Sequence, residues 1–244
     1  RNHNDSKLMA LDTKYRTDLE ESMDDFSMDS NDLVTALDDI ARINQLLGGN
    51  AVTLNGVKEL IKNYPKDQSI TIMDFGCGGG DMLRMLSKFG AENNLKFVLI
   101  GIDANEATIR HAEKCSADFD NITYLAEDIF LYDFSKYNIF IFFITLTLHH
   151  FKNDEIIKIM KVIYNIIKKG IVVNDLQRSK LAYRLFQILI FIFRLEKMTA
   201  NDGLISILRG FKRKDLEKFS KDLGLKKYSI KWKWAFRYQW LIEK

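Results

Sequence analysis

The chain has one proline, Pro65, and two cysteines, Cys77 and Cys115, among 244 residues. Two isolated cysteines build neither a disulfide framework nor a zinc-type cluster. With four histidines and no closely spaced ligand set, no metal is expected. The longest apolar run, Leu185–Phe193, is too short to span a bilayer and is closed by Arg184 and Arg194. No secretory pattern opens the chain, and Arg1 stands where an initiator Met would, so residues are expected to precede it and the location to be cytoplasmic. Internal repeats are absent. A net charge of +3 is too small to argue for a nucleic-acid partner.

What is present is a balance suited to a soluble core: 47% hydrophobic and 28% charged residues. The charge is uneven. Residues 1–40 hold 11 acids and 4 bases, whereas 209–244 hold 12 bases and 4 acids. Lys212, Lys214, Lys218 and Lys221 are expected on the solvated face of a helix.

Periodicity predicts helices over 32–47 and 54–63, the first stopped by Gly48-Gly49 and the second by Pro65. From residue 69 strands and helices alternate: strands over 69–75, 96–103, 121–126, 138–146 and 170–176, helices over 81–90, 106–118 and 153–169. This implies a parallel, doubly wound α/β sheet. Residues 177–208 form an apolar helical insertion. After a helix over 214–223, two strands (226–233 and 235–243) form an antiparallel edge.

Between the first strand and its helix lies Asp74-Phe-Gly76-Cys-Gly78-Gly-Gly80-Asp81. The dinucleotide spacing G-x-G-x-x-G requires a third glycine at 81 or 83, where Asp81 and Leu83 stand. The Gly-Lys-Ser/Thr of a phosphate loop is missing, and Asp74 and Asp81 would repel a pyrophosphate. A ligand positively charged at this turn fits better. Asp74-x-Gly76-x-Gly78-x-Gly80 resembles the first motif of class I S-adenosylmethionine-dependent methyltransferases. Asp103, ending the second strand in Gly-Ile-Asp-Ala-Asn, is similar to that family's ribose-binding acid. Glu127-Asp128-Ile129, after the third strand, resembles the motif whose Asp binds the adenine amino group while the next residue packs on the ring. The resemblance implies a cofactor site of Asp74, Gly76, Cys77, Gly78, Gly80, Asp103, Ala104, Asp128, Ile129 and the backbone of Thr145.

The fourth strand runs into Thr145-Leu-Thr-Leu-His149-His150-Phe151. The Asn/Asp-Pro-Pro-aromatic turn of amino-group methyltransferases is absent, and neither cysteine is placed as the nucleophile of a cytosine enzyme. Leu-His-His-Phe is similar to small-molecule O-methyltransferases, which implies a general base at His149; His150 and Phe151 depart from that family's Asp and Trp, which leaves open whether His149 or His150 faces the acceptor. Asp175-Leu-Gln-Arg178 and Asp202-Gly through Arg209-Gly-Phe resemble a bacterial branch similar to quinone-biosynthesis and polyketide-tailoring enzymes. Arg178, Tyr183, Met198 and Arg209 are its candidate substrate contacts. The insertion, with Leu185, Phe186, Leu189, Phe193 and Met198, would cap the crevice over an apolar or aromatic acceptor.

The expected architecture is therefore a Rossmann-like seven-stranded sheet with an antiparallel last strand. Residues 1–66 would form an N-terminal helical cap and 67–244 the cofactor-binding domain, with 177–210 as lid. A monomer or homodimer would methylate a phenolic or polyketide-like hydroxyl. C-methylation of a quinone precursor, or a binding protein without turnover, stay open.

Overall fold

The computed structural model describes residues 11–244. Helix α1 (Asn31–Leu46) starts where the Ser30 hydroxyl accepts the Leu33 amide at 3.2 Å. Helix α2 (Gly49–Ile61) begins five residues earlier than its apolar periodicity suggests. Gly48, at φ 71°, turns the chain in one residue, so the glycine pair both stops one helix and starts the next.

Strand β1 (Ser69–Phe75), α3 (Asp81–Glu92), β2 (Lys96–Asp103), α4 (Glu106–Cys115) and β3 (Ile122–Ala126) follow in the anticipated order. Strand β4 is shorter than read, Ile141–Thr145, and is followed by α5 (Asn153–Ile166) and β5 (Gly170–Leu176). The insertion folds as α6 (Lys180–Phe193) and α7 (Lys197–Arg209). Helix α8 (Arg213–Asp222), β6 (Lys227–Lys233) and β7 (Arg237–Glu243) finish the chain. Lys214, Lys218 and Lys221 on α8 are exposed, as a solvated face requires.

The seven strands lie in the order β3-β2-β1-β4-β5-β7-β6. Pairing is parallel from β3 through β5, and β7 runs antiparallel to both β5 and β6. Strand β4 is apolar without alternation because both of its faces are covered. Phe142 and Ile144 join Val173 and Trp240 beneath α5 and α8, whereas Ile141 and Phe143 join Ile72, Leu99 and Val172 on the other face. Phe142 and Phe143 are wholly buried, and truncating either to Ala should cost about 3–5 kcal/mol.

Val57, Leu60 and Ile61 of α2 pack into that second face. This helix belongs to the layer over β4, β5 and β7 and so forms one wall of the crevice. Chain order reverses between β1 and β4, and a crevice opens at the carboxyl ends of the strands there. Among the described residues, no helix is long and apolar enough to cross a membrane.

Candidate functional site

A cavity of about 1960 Å³ occupies this crevice. Its floor at one end is the glycine turn. Gly76, Gly78 and Gly80 all have left-handed backbones, at φ 67°, 50° and 74°. A Cβ on Gly76 would sit 2.2 Å from Thr147 Cγ2, and one on Gly80 would sit 2.0 Å from the Tyr124 hydroxyl. Both positions therefore require glycine on conformational and steric grounds.

Two acids face this turn. Asp103 accepts the Gly78 amide on Oδ2 and the Asn105 amide on Oδ1, each at 3.1 Å, which fixes the plane of its carboxylate. Burial raises its pKa, partly offset by those amides. Asp74 is 2% exposed, and among the described residues its Oδ1 has no hydrogen-bond partner. Burial, then Asp81 and Asp103, push its pKa well above the carboxylate range. An orphaned buried carboxylate beside a second acid suits a cationic ligand and repels a phosphate.

Next to β3, Asp128 is exposed and uses Oδ1 to accept the Phe130 amide at 2.8 Å, while Ile129 is buried. Both line the cavity, as do Gly76, Cys77, Gly78, Asp103, Ala104 and Thr145. Gly80 does not line it; it lets the turn close against Tyr124. The residues expected to hold S-adenosylmethionine, Gly80 excepted, thus line one cavity, and the orphaned Asp74 oxygen fits that ligand's positive charge.

The other end lies past β4. Leu146 takes a left-handed backbone, φ 55°, a conformation that costs a non-glycine residue about 1–2 kcal/mol. A short helical turn, Leu148–His150, follows and presents both imidazoles. His149 is 2% exposed, and Asp175 grips it twice. One carboxylate oxygen takes the His149 Nδ1 proton at 2.7 Å and the other takes its amide at 3.1 Å. His150 bonds Asp24 through Nδ1 at 2.6 Å.

Asp24 belongs to the N-terminal segment, which crosses the cavity mouth without regular structure apart from one turn at Ser22–Asp24. Glu21 lies there between the two rings. Its Oε2 accepts the Ser206 hydroxyl at 2.7 Å, and its Oε1 is buried without a hydrogen-bond partner among the described residues. Burial would raise Asp24, yet the bonds from His150 and Arg209 hold it well below the usual carboxylate range. Asp175 likewise falls: burial would raise it, but the His149 imidazole, the Leu176 amide and His150 together outweigh burial.

Of the candidate substrate residues, Arg209 lines the cavity but is committed to Asp24, at 2.5 Å, and to the carbonyls of His149 and His150. Arg178, 3% exposed, spends its donors on Asp215 and on the carbonyls of Thr13, Lys14 and Gly210. Both cations fasten the N-terminal segment, and Arg178 has little left for a substrate. Tyr183 and Met198 do not line the cavity. On α6 the lining falls to Ala182, Leu185, Phe186, Ile188 and Leu189, and Tyr183 is rotated by about 100° from Ala182. Phe193 also misses it and stacks under Arg42. Of α6 only Ala182 is buried, so this helix packs more loosely than a core helix.

Glu21, Asp24 and Arg16 were not recognisable as site residues in sequence. Arg16 bonds the carbonyls of His149, Phe151 and Arg209, and burial lowers its pKa to about 10. A Glu-x-x-Asp spacing, in which the Asp24 carboxylate accepts the Glu21 amide at 3.0 Å, is the one local signal there.

Residues 72–170 match the family described as a methyltransferase domain. No curated protein matches the chain significantly. The fold is shared with the plantazolicin methyltransferase BpumL solved with S-adenosylhomocysteine: TM-score 0.65 and 16% identity over 85% of this chain and 89% of that one. It is also shared with the magnesium protoporphyrin IX methyltransferase of Synechocystis PCC 6803, solved with the same product (TM-score 0.53, 15% identity, 81% and 83% covered). An S-adenosylmethionine-dependent methyltransferase of Aquifex aeolicus aligns at TM-score 0.54 and 15% identity, over 76% and 88%.

Proposed function

We propose that this chain is a class I methyltransferase that moves the methyl group of S-adenosylmethionine to a hydroxyl of an apolar or aromatic small molecule. The observation that carries this reading is the pair of acids at the glycine turn. Asp103 is preset by two backbone amides, and buried Asp74 keeps an oxygen without a partner among the described residues. Asp103 would bind the ribose hydroxyls, Asp128 and Ile129 the adenine, and Asp74 with the Thr145 backbone the charged methionine end. The matching family segment and the shared fold support the same reading.

Bound there, the cofactor supplies an electrophilic methyl on a sulfonium. The chain's own residues do the rest. The apolar side chains of α6 that line the cavity, Leu185, Phe186 and Leu189 among them, exclude water around the acceptor. The turn after β4 holds His149, with its Nδ1 proton on Asp175, at the polar end where the acceptor hydroxyl must ionise. In its simplest form the imidazole takes that proton, a contribution of about 10²–10⁴ in rate. Positioning of acceptor against donor contributes the larger share.

Calorimetric titration with S-adenosylmethionine, S-adenosylhomocysteine and NAD tests the cofactor, and release of S-adenosylhomocysteine over a phenol panel tests the reaction. Heat from NAD alone would refute the reading. Tight cofactor binding without turnover on any acceptor would leave a binding protein.

A further inference from the structure

We propose that Glu21, His149 and His150 form a site for one divalent transition-metal ion of the zinc type, at the acceptor end of the cavity. Each ring directs Nδ1 at a carboxylate, His149 at Asp175 (2.7 Å) and His150 at Asp24 (2.6 Å). A carboxylate accepts, so each Nδ1 carries hydrogen and each neutral ring keeps a lone pair on Nε2. Those two lone pairs face the Glu21 carboxylate, at 3.7 Å from Oε1 and 3.9 Å from Oε2.

Three acceptors therefore converge, with all three ligand atoms within 4.8 Å of one another. The separations are too long for hydrogen bonds. They fit an ion between the atoms, because two bonds of about 2.0–2.2 Å span such a gap at an open angle. Among the described residues, neither His149 Nε2 nor Glu21 Oε1 has a hydrogen-bond partner, although both are buried.

The surroundings are those of a ligand set. An imidazole that binds a metal through Nε2 commonly donates Nδ1–H to a carboxylate, which fixes its tautomer and orientation. Both rings here have that support. Two imidazoles and one carboxylate with a free position suit zinc or ferrous-type ions.

The charge balance agrees. Glu21, Asp24, Asp175 and Asp202 gather here against Arg209 and Arg16, two more acids than bases. Arg209 approaches Glu21 Oε1 to 3.6 Å but is held by Asp24 and by the carbonyls of His149 and His150, so it cannot fill the gap.

The inference rests on the proposed function only for the ion's role. An acceptor hydroxyl in the open position would lose its proton to cavity water, since an ion lowers the pKa of a bound hydroxyl. The oxygen would then attack the methyl carbon as the carbon–sulfur bond breaks toward sulfur. The ion thus takes over from the bare imidazole as the ionising group.

The full chain, stripped with chelator, is titrated with Zn²⁺ by calorimetry and with Co²⁺ by visible absorption. One equivalent of Zn²⁺ and an intense imidazole-type Co²⁺ spectrum are expected. Glu21→Gln and His149→Ala should each weaken Zn²⁺ at least tenfold, and Asp175→Asn about 10–100-fold through orientation. His111→Ala removes the ring beside Cys115, at 3.7 Å, and should leave binding unchanged. Melting curves and S-adenosylhomocysteine heats check that each variant is folded. If one variant fails to fold, Glu21→Gln on the crossing segment and Asp175→Asn in the sheet remain as independent tests. Binding that is unchanged in the folded site variants, or lost only in His111→Ala, overturns the site. Zn²⁺ binding without any cofactor binding would keep the site and refute the methyltransferase reading instead.

Discussion

Replacing Asp74 by Asn should stabilise the ligand-free protein and weaken cofactor binding, two effects of opposite consequence from one oxygen. Asp74 is 2% exposed with Asp81 and Asp103 nearby, and its Oδ1 has no hydrogen-bond partner among the described residues. A buried polar group left unsatisfied costs about 1–3 kcal/mol, more when charged, and the amide removes the charge at constant shape. The raised folded-state pKa fixes the pH dependence. Below the unfolded carboxyl pKa both states are protonated and the wild type has its full stability. As pH rises toward the folded pKa the unfolded chain ionises first, and wild-type stability falls. The gain of Asp74→Asn over wild type should therefore be near zero at about pH 4 and grow toward pH 7. Cofactor binding moves the other way. A charge-assisted contact contributes about 1.5–3 kcal/mol, so the dissociation constant should rise roughly 10- to 150-fold. Urea unfolding at several pH values and calorimetry with S-adenosylhomocysteine measure both. An Asn variant that is less stable at pH 7, with unchanged affinity, would mean that Asp74 is ionised, satisfied and remote from the ligand.

Asp103→Ala should weaken S-adenosylhomocysteine by about 2–4 kcal/mol in calorimetry, and because two backbone amides lose their acceptor, the ligand-free melting temperature should also fall. Gly80→Ala puts a Cβ 2.0 Å from the Tyr124 hydroxyl at φ 74° and should cost at least about 2 kcal/mol in urea unfolding, with partial rescue by Tyr124→Phe. Arg209→Ala takes the nearby cation from buried Glu21 and half-buried Asp24 and should cost about 2–4 kcal/mol, read by the same unfolding. Initial rates on a reactive phenol separate the two forms of the acceptor end. A lone imidazole base predicts a loss of about 10²-fold or more for His149→Ala and far less for His150→Ala, whereas a bound ion predicts comparable losses for both.

The part of the site that could be read in sequence is the part that lies within one local stretch. Asp74, Gly76, Gly78, Asp103 and Asp128 each end a strand or open the loop after it, and parallel pairing sets those ends side by side: Asp74 faces Gly101, and Asp103 faces Ala126. Spacing within each motif and alternation between motifs were enough to place them. The same local logic predicted the antiparallel edge, since two strands with almost no connection can pair only by reversing. It failed at Gly48-Gly49, where a left-handed residue joins two helices that a composition-based reading separates.

The acceptor end obeys a different rule, because its members share no local stretch. Glu21 reaches Ser206 across 185 positions, and Arg209 reaches the His149 carbonyl across 60. The segment carrying Glu21 and Asp24 has little apolar periodicity, since it is held by ions and not by a hydrophobic face. Arg16, Arg178 and Arg209 grip carbonyls and acids that sequence cannot pair. The opposite charges of the two chain ends were visible, but not that the acids would be drawn over the cavity mouth. Arg178 and Arg209, expected as substrate contacts, line the cavity and also hold that cover down. On the proposed function, the acceptor would enter a space whose polar wall is built partly by the N-terminal segment. A chain cut just before α1 should then keep Asp74 and Asp103 for the cofactor yet lose its acceptor end. Such a truncation should bind S-adenosylhomocysteine within about tenfold of the full chain while its turnover falls by two orders of magnitude or more. Equal losses in binding and turnover would place the N-terminal segment in the cofactor site instead.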